Sequence, residues 1–425
     1  MTHQFSRRHV LQAIVLGATQ VPQHVDAVTK KKQTLKVAAY PLVDEIIASA
    51  IPIWTRMHPE VKVEIVRRQY LDHHTAMTTA LSTSSHLPDV MTLESSFVGR
   101  YSQGAGLEDL SKAPYNLGQY KDRFVSYAFQ QVVNQRQEMI AVPTDIGPGT
   151  MLYRHDICKR AGVEEAELTA SWKSYVDAGI KIKARTGCYL IGNAKSVKDI
   201  VLRSGVQPGE GIYFGPQSKV LVKSPRFVRA FELAQKIRQH RLDAKVSAWS
   251  NEWAEGFKRG QLVTELTGAW MVGQMANWVA PTTTGLWRAA HLPERAYAGY
   301  GGSFYAIPRK SSPSMKVLAW EFIQMMTLNA ELQFKAFKSQ DAFPALIETH
   351  AGPFFDEPIE FLGGQKARLI WREAAKKIVS AKVHKQNNFA DEVIDMSLDR
   401  VLDGHSSIED ALSEAYSLLE KRALR

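Results

Sequence analysis

From residue 35 onward the chain switches repeatedly between two hydrophobic periods, and the switching lays out an α/β plan. Residues 35–40 (Leu-Lys-Val-Ala-Ala-Tyr) are a short apolar run of strand type, residues 43–57 repeat apolar positions at spacings of three and four, and residues 61–66 alternate with period two. This predicts a β-α-β opening whose helix is bent at Pro52. A helix over 74–82, a strand over 89–93 and a helix from about Phe97 continue the pattern. The strand predicted over 139–142 stops at Pro143, and the turn-forming residues that follow, Thr144 to Gly149, predict a connection between two domains.

Beyond that connection the pattern predicts a strand over 150–153, helices near Ile157 and over 172–183, a strand around 189–191 and a long helix over 225–240. A helix over 253–259, a stop at Gly260, a strand over 262–266 and a helix entered through Thr267-Gly268-Ala269-Trp270 follow. A second turn-rich passage, 293–303, leads to the apolar run 304–308. The rest is mainly helical, over 315–326, 330–338, 364–377 and 389–402. No fixed-period repeat is present.

Composition narrows the class. The 425 residues are 45% apolar and 23% charged, with two cysteines, which suits a folded protein of two or three domains and excludes disordered and small disulfide-rich classes. The net charge of +10 is partly concentrated in the first 32 residues, which hold Arg7, Arg8, Lys30, Lys31 and Lys32 against Asp26. The remaining excess is scattered, with no basic stripe interleaved with aromatics, so no nucleic-acid partner is expected. Ser6-Arg7-Arg8-His9 followed by a short apolar run to Val21 and a small residue at Ala27 reads as an export signal over 1–27. Its paired arginines resemble a twin-arginine signal, with Val10 and Gln12 departing from the usual pattern. A periplasmic destination is expected, and with no cysteine near the cleavage region, no lipid anchor.

Chemistry-bearing motifs are sparse. The chain has no phosphate-binding Gly-x-x-x-x-Gly-Lys loop, no His-Glu-x-x-His, no Gly-x-Ser-x-Gly and no Gly-x-Gly-x-x-Gly at a helix start. Adjacent His73 and His74 would point about 100° apart on a helix, so they are read as surface residues and not as a metal site. Cys158 and Cys188 are read as two small apolar residues, although export would permit a disulfide. No cofactor and no catalytic residue is expected, and the chain is read as a monomer.

Four blocks stand above generic α/β sequence: Leu87-Pro88-Asp89-Val90 with 101–110; Val142-Pro143-Thr144-Asp145 with Tyr153-Arg154-His155-Asp156 and Ala161-Gly162-Val163; Phe257-Lys258-Arg259-Gly260 with Gly268-Ala269-Trp270; and Gly301-Gly302 with Ala306-Ile307-Pro308. In this order they resemble the extracellular solute-binding proteins of family 1, the maltose-binding-like sugar receptors of ABC importers. The resemblance covers about residues 35 to 410. It implies a two-lobed α/β periplasmic-binding-protein fold of type II, each lobe a mixed, mostly parallel sheet flanked by helices, with the ligand cleft at the hinge. It further implies one lobe from 35–143 plus 291–312, a second from 144–290 plus 313–425, a carbohydrate ligand, and docking on ABC permease subunits.

A sugar needs planar hydrogen-bonding groups at its rim and aromatic plates on its faces. Trp270, at a strand-to-helix entry where the resemblance places a cleft aromatic, is the leading candidate; a core tryptophan is the competing reading. Tyr40, Glu94 and Ser95 follow strands at the carboxyl edge where open sheets bind ligands, although Glu94 could instead cap the next helix. Asp145 is either a hinge residue or an acceptor, and Gly301, Gly302 and Ser303 would let backbone approach a solute. Asn193, Tyr213 and Phe389 are placed by loop position and family correspondence; Trp253 is read as packing. The mild positive charge hints at an acidic sugar, which Glu94 and Asp145 would oppose. The rivals are another solute on the same fold (a polyamine, an organic phosphate or iron) and a secreted carbohydrate-active enzyme with two carboxylates across the cleft.

Overall fold

The computed structural model describes residues 33–102 and 104–423; the predicted export signal lies outside them. Seven strands are present among these residues: β1 (Gln33–Ala39), β2 (Val61–Arg67), β3 (Val90–Glu94), β4 (Val142–Arg154), β5 (Thr264–Gly268), β6 (Trp287–Ala290) and β7 (Gly299–Ala306). Their order is β2-β1-β3-β7-β4-β5, with β6 also paired to β4. The β-α-β opening is as the sequence predicts. Parallel β1 and β2 are joined by helix Val43–Met57, which buries Val43, Ile47, Ala50 and Trp54 and carries Asp44 and Glu45 at its positive end and Arg56 at its negative end. Pro52 lies within that helix on its exposed side.

The predicted break after Pro143 is instead the middle of one thirteen-residue strand. The first half of β4 runs antiparallel to β7, from Val142 opposite Tyr305 to Pro148 opposite Gly299. Its second half pairs with β5 and β6, from Gly149 opposite Gly268 to Arg154 opposite Trp287. The register shifts between Pro143 and Asp145 and again between Ile146 and Pro148. Bulges at these places accommodate prolines that have no ladder N–H and bend the strand, so residues of turn type carry the chain from one sheet region to the other without leaving the ladder.

Two large apolar cores border this strand, and the first reaches past it to Trp253, Phe257, Leu262 and Trp287. One gathers Leu35, Val37, Trp54 and Val61 with Phe322, Ile323, Phe337 and Trp371. The other gathers Ile157, Tyr175, Ile182, Ile200, Phe231 and Ile237 with Ile394, Leu398, Leu412 and Leu419. Helix Pro313–Leu328 therefore belongs with the first core, Phe322 meeting Trp54 edge to face at 5.4 Å, and the expectation that everything after 312 joins the second lobe does not describe it. After helix Arg368–Lys377 the chain returns to the second core at helix Asn387–Leu402, through an irregular passage over 378–386. There Ser380 donates to the Tyr127 carbonyl, and the Lys382 N–H donates to the Glu210 carbonyl.

Among the described residues, four α-helices are not marked by the sequence pattern, Ser126–Gln131, Glu165–Thr169, Lys195–Ser204 and Ile408–Ala423. The histidine reading is also corrected. His73 and His74 are buried, not surface residues: His73 Nε2 lies 2.8 Å from the Thr92 carbonyl, and the His74 ring stacks on Phe97 at 3.9 Å. Burial pushes His73 down to about 4, so it is a neutral packing group at physiological pH. Both cysteines are free thiols, Cys158 buried and Cys188 half-buried. Among the described residues, no cluster of acids, histidines or cysteines could hold a metal, and no helix is long and apolar enough to cross a membrane.

Candidate binding cleft

Three neighbouring strands bring four of the predicted residues together. Glu94 at the end of β3 lies directly opposite Ser303 on β7, and Ser303 lies opposite Asp145 on β4. Tyr40, just past β1, donates its hydroxyl to Ser303 Oγ at 2.9 Å. Its ring meets Tyr70 at 5.6 Å and rests beside His73 and His74, which explains why two histidines are buried beneath it. Burial pushes the Asp145 carboxyl up to about 6, opposed by hydrogen bonds from Ser303 and assisted by nearby Glu94. Burial likewise pushes the Tyr40 hydroxyl well up, with Asp145 and Glu94 adding to it, so Tyr40 remains a neutral donor.

Glu94 takes the capping role. Its carboxylate accepts the Ser96 N–H at 2.9 Å, the Ser95 hydroxyl at 2.5 Å, the Tyr70 hydroxyl at 3.0 Å and the Ser96 hydroxyl. It thereby fixes the start of helix Ser95–Ser102 and orients Tyr70 and two serines.

Of the residues that Glu94 orients, Tyr70, Ser95 and Ser96 line a cavity of about 540 Å³, within the ~300–1,000 Å³ range of small-molecule sites, whereas Tyr40, Glu94, Asp145 and Ser303 lie behind them and are not part of its lining. From one side come Tyr70, Ser95, Ser96 and Phe97, from the second-core side come Arg203, Tyr213, Phe389 and Asp391, and Tyr127 and Ile378 also line it. Tyr213 and Phe389 are thus wall residues. Tyr213 donates its hydroxyl to Asp391, and the Arg422 guanidinium lies 4.2 Å over the Phe389 ring. The Tyr127 hydroxyl is buried and has no hydrogen-bond partner among the described residues. Asn193 is not part of this wall: its Oδ1 accepts the Lys195 N–H at 3.1 Å, and its Nδ2 lies 3.5 Å from the Val246 carbonyl.

Trp270 sits beside the crossing strands. Its Nε1 donates to the Tyr300 carbonyl at 2.9 Å, and a Cβ at Gly301 would come within 3.0 Å of that nitrogen. Gly301 and Gly302 have φ of 88° and 128°, a backbone region that other residues rarely adopt, so their glycines serve the strand geometry as well as any close approach by a ligand. The Trp270 ring is only the inner member of a shelf. Trp249 stacks on it at 6.0 Å with planes 13° apart, and Trp278 stacks on Trp249 at 5.8 Å and 24°. Both outer rings are about half exposed. Trp253 is buried beneath, as predicted. Tyr300 links this shelf to the cavity: its ring lies 6.5 Å from Trp270, and the guanidinium of Arg203, a cavity-lining residue, lies 4.8 Å over the same ring.

The sequence reading missed Trp249, Trp278, Arg203, Tyr70 and Tyr127. Trp249 stands in an aperiodic loop with φ of 69°, and Arg203 ends a helix whose pattern was not recognised.

A second buried acid lies close by. Glu265 on β5 is pushed up to about 8 by burial, a hydrogen bond from Trp253 pulling the other way. The folded protein holds a proton there that the unfolded chain releases, so the associated stability is present below pH 4.5 and is lost as pH rises towards 8. Glu265→Gln is expected to remove that loss: relative to the parent, its denaturation midpoint should rise between pH 5 and pH 9. Parallel midpoints across that range would place Glu265 in contact with water.

Comparisons with known proteins agree with this architecture. The profile of the family described as bacterial extracellular solute-binding protein matches residues 33–333. An arabinooligosaccharide-binding protein of Bacillus subtilis (strain 168) is 21% identical over 279 residues, covering 63% of each chain, so the match spans less than two thirds of that relative's length. A crystal structure of an extracellular solute-binding protein of family 1 superposes with a TM-score of 0.80 at 22% identity, over 92% of this chain and 100% of that one. The ABC-transporter-associated binding protein of B. animalis subsp. lactis Bl-04, in complex with β-1,6-galactobiose, superposes with a TM-score of 0.76 at 23% identity, over 92% and 97%.

Proposed function

Because the chain belongs to the bacterial extracellular solute-binding proteins, we propose that it captures a carbohydrate between its two lobes and delivers it intact to an ABC permease. The observation that carries this reading is the tryptophan shelf of Trp270, Trp249 and Trp278, joined through Tyr300 to Arg203 on the wall of a cavity that also presents hydroxyls and carboxylates. Aromatic faces suit the C–H faces of a pyranose or furanose ring, and the polar wall suits its rim. The named relatives, which bind arabinooligosaccharide and β-1,6-galactobiose, point the same way. Glu94 is occupied with helix capping, which argues against a catalytic acid at that position. No covalent chemistry is assigned to the cleft.

In this reading β4, β7 and the passage 378–386 are the three crossings between lobes, and the first lobe includes 313–377 as well as 35–143. Tyr40, Ser95, Asp145 and Ser303 grip from the first lobe, and Trp270, Tyr213 and Phe389 from the second. Closure brings the two sets onto one ligand, which shifts an open-closed equilibrium. Residues 1–27 would direct export to the periplasm by the twin-arginine route, leaving a monomeric mature receptor without a lipid anchor.

A thermal-shift screen of the mature protein against mono- and oligosaccharides, polyols and polyamines tests the reading. A ligand at 100 times its Kd adds about 2.7 kcal/mol of stability. A sugar response without turnover is expected. Silence towards every sugar alongside a polyamine response would retire it.

A further inference from the structure

Arg203 occupies an unusual position in the cleft. It stands in the last turn of helix Lys195–Ser204, lines the cavity, and lies over the Tyr300 ring. Among the described residues its guanidinium makes no hydrogen bond and no ion pair within 4 Å, although Asp199 and Asp391 are near enough to act on it through space. Those acids direct oxygens elsewhere: Asp199 Oδ1 pairs with Lys198 Nζ at 2.6 Å, and Asp391 Oδ1 accepts the Tyr213 hydroxyl. Lys198 pairs in addition with Asp395, whose other oxygen lies 3.8 Å from Lys195. The acids therefore make a buried cation tolerable without engaging its fork of donors. Burial opposes the Arg203 charge, but Tyr300, Asp199, Tyr213 and Asp391 outweigh it, so the group stays charged.

An arginine fixed against a ring, with its donors free and facing a cavity, lacks an acceptor. The surrounding charge indicates which kind. Arg100, Arg203, Lys382 and Arg422 line the cavity, against Asp391 and Glu392. Glu94, the acid that would have repelled an anion, is turned to its own helix and screened by four donors. Resting on the saccharide reading above, we propose that the ligand is an acidic one, a uronate-containing oligosaccharide whose carboxylate is taken by the Arg203 guanidinium. Two parallel N–H···O bonds match a carboxylate and not a single hydroxyl, and such charge-assisted pairs are roughly twice as strong as neutral ones. Tyr70, Ser95 and Ser96 across the cavity would meet the hydroxyls of the same sugar unit, and the tryptophan shelf would take the next.

The test uses three matched pairs: digalacturonate against α-1,4-galactobiose, dimannuronate against β-1,4-mannobiose, and aldotriouronic acid against xylotriose, titrated calorimetrically into the mature protein. In at least one pair the uronate is expected to bind ten-fold or more tightly than its neutral partner. Arg203→Gln should weaken that uronate about 100-fold and leave the neutral partner unchanged. Arg203→Lys, which keeps the charge that Asp199 and Asp391 face, guards against a folding defect and should give an intermediate loss, because an ammonium cannot form the fork. A neutral sugar bound as tightly as its uronate in every pair, or an Arg203→Gln effect equal on both members, would overturn the proposal and leave the sugar-receptor reading standing. No binding of any member would remove both.

Discussion

Replacing Trp249 with alanine is expected to weaken ligand binding roughly 10- to 100-fold, about 1.4 to 2.8 kcal/mol, while moving the denaturation midpoint little. The side chain is 51% exposed and packs mainly on other rings, so its removal exposes little core. Its backbone is the telling feature. A bulky residue at φ of 69° sits in a costly region, and such an outlier persists where the surrounding structure holds it for a use. Holding an indole flat against Trp270 is such a use. Trp270→Ala should behave differently, lowering affinity and stability together, because that ring also bonds the Tyr300 carbonyl and covers the glycines of the crossing strands. Calorimetric titration and urea denaturation on both variants separate the roles. Wild-type affinity in Trp249→Ala would take the shelf off the ligand's path.

The difference between these tryptophans also shows what the sequence could reveal. Trp270 follows a strand and a Gly-Ala step, a local signal that fixes its place. Tyr40, Glu94, Ser95, Asp145 and Ser303 were legible for the same reason: each follows a recognisable strand or lies in the proline- and glycine-rich crossing, and strand order alone then sets Glu94, Ser303 and Asp145 side by side. Trp249 and Arg203 gain their positions from tertiary contacts, one by resting on Trp270 and the other by lying over Tyr300, and nothing within their own segments records either. The crossing was legible in place and misread in form. Proline and glycine are the residues of a turn, but they are also those of a bulged strand, and the choice is made by β7, some 150 residues further along the chain. His73 and His74 were misread because a histidine pair carries no mark of the ring that will cover it. The apolar face of helix Pro313–Leu328 would fit either core, and the contact of Phe322 with Trp54 decides which one it meets.

Gly147→Ala is expected to be the most damaging single-methyl change in the protein. A Cβ at this position would stand 1.8 Å from the Tyr300 carbonyl oxygen and 2.6 Å from its carbon, with Trp270 Nε1 at 3.2 Å. The obstructing atoms are backbone, so no rotamer change relieves the overlap, and β4 would have to part from β7 at the bulge where the chain crosses between cores. A loss of roughly 3 kcal/mol or more of unfolding free energy follows. Gly187→Ala provides the contrast. That glycine has φ of 75° and open space around it, so alanine there incurs backbone strain alone, roughly 1 kcal/mol. Urea denaturation of both variants should therefore separate them by about 2 kcal/mol. Ligand affinity should fall only in Gly147→Ala, because the Tyr300 carbonyl that the methyl displaces is also the anchor of Trp270. Equal midpoints for the two variants would mean that β4 and β7 do not approach this closely, and the crossing would then be a loose linker instead of a continuous pair of strands on which the two lobes turn.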